Sequence, residues 1–174
     1  RYKGTDTEVI FPTEVKGTAI TGIANATTTV PDNYRSIVSV VIPEGYKSIG
    51  DNAFLGCENL ERIILPTSLE KIGEKAFANC YKLKEIVIPD GVDEIGKRCF
   101  AACRSLETVK LPISIERLDD ETFSGCSKLI SIDLPRNLRS IYAKRSANSG
   151  LKNVVTHNRK PRFSEEPFPK GTVF

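Results

Sequence analysis

Apolar positions recur along most of this chain in one fixed pattern. In Leu60-Glu61-Arg62-Ile63-Ile64-Leu65-Pro66 the core-type residues fall at 60, 63 and 65. The end of that stretch alternates with period 2, as a half-buried strand does. Pro66 closes it, because proline has no N–H to give to a ladder. A turn pair follows, Thr67-Ser68, and then a second apolar pair, Leu69 and Ile72, on the opposite side of the unit. Ala76, Phe77 and Cys80 complete it, and their i, i+1, i+4 spacing predicts one face of a short helical turn. The whole unit returns every 23 residues: Pro43, Pro66, Pro89, Pro112 and Pro135 keep that interval without a slip. A fixed period of this length marks a solenoid, in which each unit buries its apolar face on its neighbours.

The regular repeats span 37–135, flanked by an irregular N-terminal repeat or cap at 1–36 and a degenerate, basic C-terminal cap at 136–174, all in one domain. In the first segment Val9, Phe11, Pro12 and Val15 align with Val40, Ile42, Pro43 and Tyr46. Pro12 and Pro43 are 31 residues apart, so this unit carries eight extra residues, which fall at Lys16-Gly17 and at Thr27–Pro31. Gly50, Gly73 and Gly96 are expected at a tight corner or a positive-φ position. After Pro135, Leu138 and Ile141 keep their slots, Ser146 and Ser149 replace the Phe and the Cys, and Leu151 and Val154 predict a last strand. Residues 156–174, with three prolines, read as an extended tail packed on the end of the stack, and Gly171-Thr172-Val173-Phe174 as the start of another strand that the natural chain would continue.

Composition adds limits. Hydrophobic residues are 40% and charged residues 27% of 174, so the chain is globular. No apolar run approaches the ~18 residues of a membrane helix. A net charge of +3 is too small to argue on its own for nucleic acid, which is not the expected partner. Cys57, Cys80, Cys103 and Cys126 occupy one slot per repeat, and Cys99 takes the slot of Ala53, Ala76 and Thr122. That placement predicts buried free thiols acting as small hydrophobes, with bridges between stacked coils or a metal as the lesser readings. The single histidine, His157, lies outside the regular repeats, and Asp119-Asp120 reads as a turn. No P-loop, nucleophile elbow or paired-carboxylate motif is present, so neither catalysis nor a cofactor is expected.

The repeat L-x-x-I-x-L-P-x-x-L-x-x-I-G-x-x-A-F-x-x-C-x-x, carried by Leu60, Ile63, Leu65, Pro66, Leu69, Ile72, Gly73, Ala76, Phe77 and Cys80 and their equivalents, resembles the BspA-like (Treponema pallidum-type) class of leucine-rich repeats. The resemblance is strong over 37–141 and weak at the ends. It implies a leucine-rich-repeat solenoid, mainly β, coiled right-handed and curved, with a parallel sheet on its concave face. It also implies an extracellular or cell-surface protein, commonly bacterial and often adhesive, and it brings no catalytic residues.

With 60, 63 and 65 inward, the residues between them face out on the concave sheet. One outward column is Ser39, Arg62, Glu85, Thr108 and Ser131; the other is Val41, Ile64, Val87, Lys110 and Asp133. The Val-Ile-Val run in the second is a candidate contact patch. These columns are expected to bind a protein or glycan, from a chain that reads as a monomer. A second candidate is the basic end. From Arg136 onward nine Lys or Arg oppose two Glu, a net of +7 against −4 for the rest of the chain. Arg136, Arg139, Lys144, Arg145, Arg159, Lys160 and Arg162 would there hold a polyanion. The remaining alternative is a structural spacer within a larger surface protein.

Overall fold

A computed structural model of the chain describes residues 7–26, 32–119, 121–141, 149–157, 162–163 and 173, with positions 32, 33, 162 and 163 described through their backbone alone. The chain forms a parallel β-solenoid whose coils are about 23 residues long. Each coil lays one strand on a first face: β1 (Glu8–Ile10), β5 (Ser39–Val41), β7 (Arg62–Ile64), β9 (Glu85–Val87), β11 (Thr108–Lys110), β13 (Ser131–Leu134) and β15 (Asn153–Thr156). A second face carries two-residue strands: β4 (Gly22–Ile23), β6 (Ser48–Ile49), β8 (Lys71–Ile72), β10 (Glu94–Ile95), β12 (Arg117–Leu118), β14 (Ser140–Ile141) and β16 (Arg162–Phe163). Register is kept by the repeat itself. Ser39 stands beside Arg62 and Val40 beside Ile63, while Ser48 stands beside Lys71 and Ile49 beside Ile72.

The core lies between these faces. Leu60, Leu69, Ile72, Phe77 and Cys80 are fully buried, as are their equivalents along most of the stack. Phe54, Phe77, Phe100 and Phe123 form a spine of parallel rings with centroids 5.3, 5.6 and 5.7 Å apart. Phe11 closes its N-terminal end, edge-on to Phe54 at 6.0 Å. Offset-parallel and edge-to-face contacts are the two arrangements that aromatic quadrupoles favour.

The third side of the coil differs from the helical turn expected there. It is a ribbon of consecutive turns, closed in one coil by Ala53 N–H to Gly50 O, Leu55 N–H to Asn52 O and Cys57 N–H to Phe54 O. The alternate N–H groups of Asn52, Phe54 and Gly56 donate to the carbonyls of Glu74, Ala76 and Ala78 in the next coil, each at 2.8 Å. Lys75, Phe77 and Asn79 repeat the pattern to Lys97, Cys99 and Ala101. Such a ribbon buries i, i+1 and i+4 as a helical turn does, which is why the apolar spacing did not separate the two. Its backbone requires the left-handed region at two positions per coil. One column is Asn52, Lys75, Arg98 and Glu121 (φ 52 to 56°); the other is Gly56, Asn79, Ala102 and Gly125 (φ 60 to 76°).

Gly50, Gly73 and Gly96 do not have positive φ. They are required by close approach: a Cβ on Gly73 would lie 2.6 Å from the Asp51 nitrogen and 2.7 Å from the Gly50 carbonyl carbon. The first coil also departs from expectation. Five of its extra residues make an antiparallel hairpin, β2 (Glu14–Val15) with β3 (Thr18–Ala19), turning at Lys16-Gly17. Val15 is therefore exposed on the hairpin and does not fill the buried slot of Tyr46. Thr21 accepts from the Lys47 N–H and Gly22 pairs with Ser48, which puts Ile20 at that slot. The other three extra residues lie between Ile23 and β5, where a 3-10 helix spans Asp32–Ser36. At the far end the expected tail instead continues the coil at Arg162–Phe163, which pair in parallel with β14. Val173 bridges Asn153 as a further strand position.

Candidate functional site

The strand face presents every second residue of its strands. The first outward column runs Glu8, Ser39, Arg62, Glu85, Thr108, Ser131, Asn153 and the second runs Ile10, Val41, Ile64, Val87, Lys110, Asp133, Val155. Of the ten residues expected to face outward from the strands, eight are exposed, and Ser39 and Val41 share their columns by register alone. Ser39 is only 8% exposed, between Glu8 and Arg62 in the neighbouring strands, and Val41 is half-buried. Ile64 and Val87 are 53% and 59% exposed. Ile10 extends their row at 75% exposure, beside Val41 in register. Together Ile10, Val41, Ile64 and Val87 make an aliphatic row across four coils, with coils ~4.8 Å apart.

Glu8, Ile10, Asn153 and Val155 were missed as face residues, although the signal was present. Val9 already aligned with Val40, and Val154 with the inward slot of a last strand, so the residues flanking each had to point out. At the C-terminal end of the second column Asp133 is held by His157, with Nε2 2.6 Å from Oδ1.

The second face is polar and laterally paired. Lys47 meets Glu70 at 2.6 Å, Lys71 meets Glu94 at 2.8 Å and Arg139 meets Glu116 at 3.2 Å, each pair bridging adjacent coils. Exposed pairs of this kind contribute roughly 0–1 kcal/mol each. Arg139, one of the residues expected to hold a polyanion, is thus already engaged, while Arg136 is exposed. Lys144, Arg145, Arg159 and Lys160 lie outside the described residues, and Arg162 is placed by its backbone as part of β16. Of the acidic pair Asp119-Asp120, Asp119 accepts a backbone bond from Thr122 Oγ1 and lies 3.6 Å from Arg117, and Asp120 lies outside the described residues.

The five thiols are fully buried and unbridged. Those of Cys80, Cys103 and Cys126 donate to the carbonyls of Phe54, Phe77 and Phe100 at 3.1–3.3 Å, which uses the one polar group that the slot carries. Burial pushes Cys57 and Cys126 up to about 12 and raises Cys80, Cys99 and Cys103 well above the ordinary thiol range. The raised values and the burial both favour the neutral thiol, the form that packs as a small hydrophobe. Among the described residues no group of three or more His, Cys, Asp or Glu is placed to hold a metal ion, and no helix is long and apolar enough to cross a membrane.

Comparisons with known proteins agree with this architecture. Residues 47–171 match the BspA type Leucine rich repeat region in six copies. The fold is similar to that of the T. pallidum leucine-rich repeat protein TpLRR, at 30% identity and a TM-score of 0.83, over 94% of this chain and 75% of that one. It is also similar to a leucine-rich repeat protein from Bacteroides ovatus (33% identity, TM-score 0.61, 92% of this chain) and to the pneumococcal vaccine antigen PcpA (26%, 0.74, 90%). The chain spans 47% and 42% of the length of those two. No curated protein matches. A six-copy match over more than half of the sequence, on a coil whose period and core columns are those of the motif, places this chain in the family of BspA type leucine-rich repeat proteins.

Proposed function

We propose that this chain is a non-enzymatic binding scaffold that presents its strand face to a protein or glycan, as part of an extracellular or cell-surface adhesive protein. The observation that carries the reading is the aliphatic row of Ile10, Val41, Ile64 and Val87. These side chains contribute nothing to the core, and contiguous apolar surface on a folded protein marks a contact site. The coil fixes the row before any partner arrives, so little ordering cost falls on binding. Family membership supports the reading, since leucine-rich repeat solenoids are interaction scaffolds, and the likeness to a pneumococcal vaccine antigen supports the surface address.

The test is binding to a panel of immobilised extracellular-matrix proteins and glycans, with the Ile64→Asp/Val87→Asp protein as the comparison. The proposal expects at least one ligand to bind the unaltered chain and to be lost from the variant. A chain that binds equally after substitution, or that neither binds the panel nor associates with itself, is acting as a spacer on this face. Retention on heparin that survives the strand-face substitutions and collapses with salt would point to the basic end instead.

A further inference from the structure

Opposite charges one coil apart pair readily in this protein, as Lys47–Glu70, Lys71–Glu94 and Arg98–Glu121 show. Two more combinations have the same separation, Glu61 with Lys84 and Arg62 with Glu85. Among the described residues, neither forms, and none of the four charges has another ion-pair partner. All four are exposed; Arg62 and Glu85 stand beside the exposed Ile64 and Val87 on β7 and β9, and Glu61 and Lys84 lie just before those strands. The centre of the face is thus two aliphatic residues beside two adjacent charges of opposite sign, Arg62 and Glu85, that do not pair within the chain.

That arrangement is complementary to itself. A twofold axis lying in the face, parallel to the strands and midway between β7 and β9, sets each position of β7 opposite the equivalent position of β9 in another copy. Arg62 then meets Glu85 and Ile64 meets Val87, each contact being made twice. One coil further out, Ser39 meets Thr108, and the half-buried Val41 meets the aliphatic stem of Lys110. Beyond that Ile10 faces Asp133 and the match ends, so complementarity is confined to the four central coils. The two outward columns carry no aromatic side chain among the described residues, which removes the usual stacking platform for a sugar ring.

We propose that the strand face pairs with the same face of a second copy of this chain, through Ile64 against Val87 and the reciprocal Arg62–Glu85 ion pair. This deepens the binding reading, on which it rests, by naming the partner, and it replaces the monomer expected from the sequence. A contact of this extent belongs to the small, transient class of interface, so association is weak and requires high local concentration, as on a surface.

Sedimentation equilibrium up to about 1 mM protein tests it. The unaltered chain is expected to dimerise, more weakly as salt rises. Arg62→Glu and Glu85→Arg are each expected to weaken dimerisation at least about tenfold, because each sets like charges opposite one another. An equimolar mixture of the two variants is expected to regain it, because the substituted positions then face each other with opposite sign. Regain by mixing also shows that both variants are folded. A monomer at the top of the range, single variants that pair normally, or a mixture no better than either variant alone would each overturn the inference. If the chain stays monomeric while Ile64→Asp/Val87→Asp still loses a ligand on the panel, self-pairing falls and the binding reading stands. If neither effect is seen, both fall.

Discussion

Lys75, Arg98 and Ala102 each hold a left-handed backbone with a Cβ in place, where Gly56 and Gly125 hold it at no steric cost. Ala102→Gly is therefore expected to stabilise the fold by about 1 kcal/mol in urea unfolding. Gly73 is the opposite case. Its φ is ordinary, but a Cβ would lie 2.6 Å from the backbone nitrogen of Asp51, which cannot give way without moving the neighbouring coil. Gly73→Ala should cost about 2–3 kcal/mol in the same measurement. Glu44 shows how a side chain can tie one coil to the next. Its carboxylate accepts from the N–H groups of Thr67 at 2.9 Å and Ser68 at 3.1 Å, and the Thr67 bond in particular holds its pKa below the ordinary 4.5. A folded pKa below the unfolded one stabilises above the unfolded value, and that stability is lost as pH falls through the folded value. The melting temperature of the protein should thus exceed that of Glu44→Gln at pH 7, and the gap should close as pH drops below 4.5.

At the scale of the element, the inward columns were legible and the backbone of the third side was not. Leu60, Ile63, Pro66, Leu69 and Ile72 fix two strands and a turn because period-2 burial and proline closure have one structural meaning. Ala76, Phe77 and Cys80 name three buried positions, yet a helical turn and a turn ribbon bury the same three. The distinguishing signal was the second left-handed column, where Gly56, Asn79 and Gly125 favour positive φ, and Ala102 interrupted it. The hairpin at Glu14–Ala19 was half legible: Lys16-Gly17 was placed within the insertion, but Val15 was set in the core because apolar character alone does not count inserted residues. For the face, alternation gave every outward position between β5 and β13. It did not give the exposure of Ser39, which depends on its strand neighbours Glu8 and Arg62. The thiol column carries its own prediction. With every cysteine buried and its pKa raised, a thiol reagent at pH 8 should label none of the five in the native protein and all five in denaturant.

In the whole molecule, construction and recognition are divided between columns. Those that repeat, Leu, Ile, Pro, Phe and Cys, make a one-dimensional stack in which each coil depends on its neighbours. Those that vary, Arg62 to Ser131 and Ile64 to Asp133, lie outward on the strand face and leave the core unchanged whatever they carry. Several charges on the second face pair between coils, whereas the centre of the strand face keeps its charges and its aliphatic row free. A substitution on that face should then remove binding without touching stability. The most direct check is one pair of readings on the Ile64→Asp/Val87→Asp protein: its melting temperature, and its affinity for whichever partner the unaltered chain binds. A melting temperature within about 4 °C of the unaltered protein, with affinity lowered at least about tenfold, is the expected pair. Affinity retained at full strength, or lost only in step with unfolding, would contradict a recognition role for the strand face.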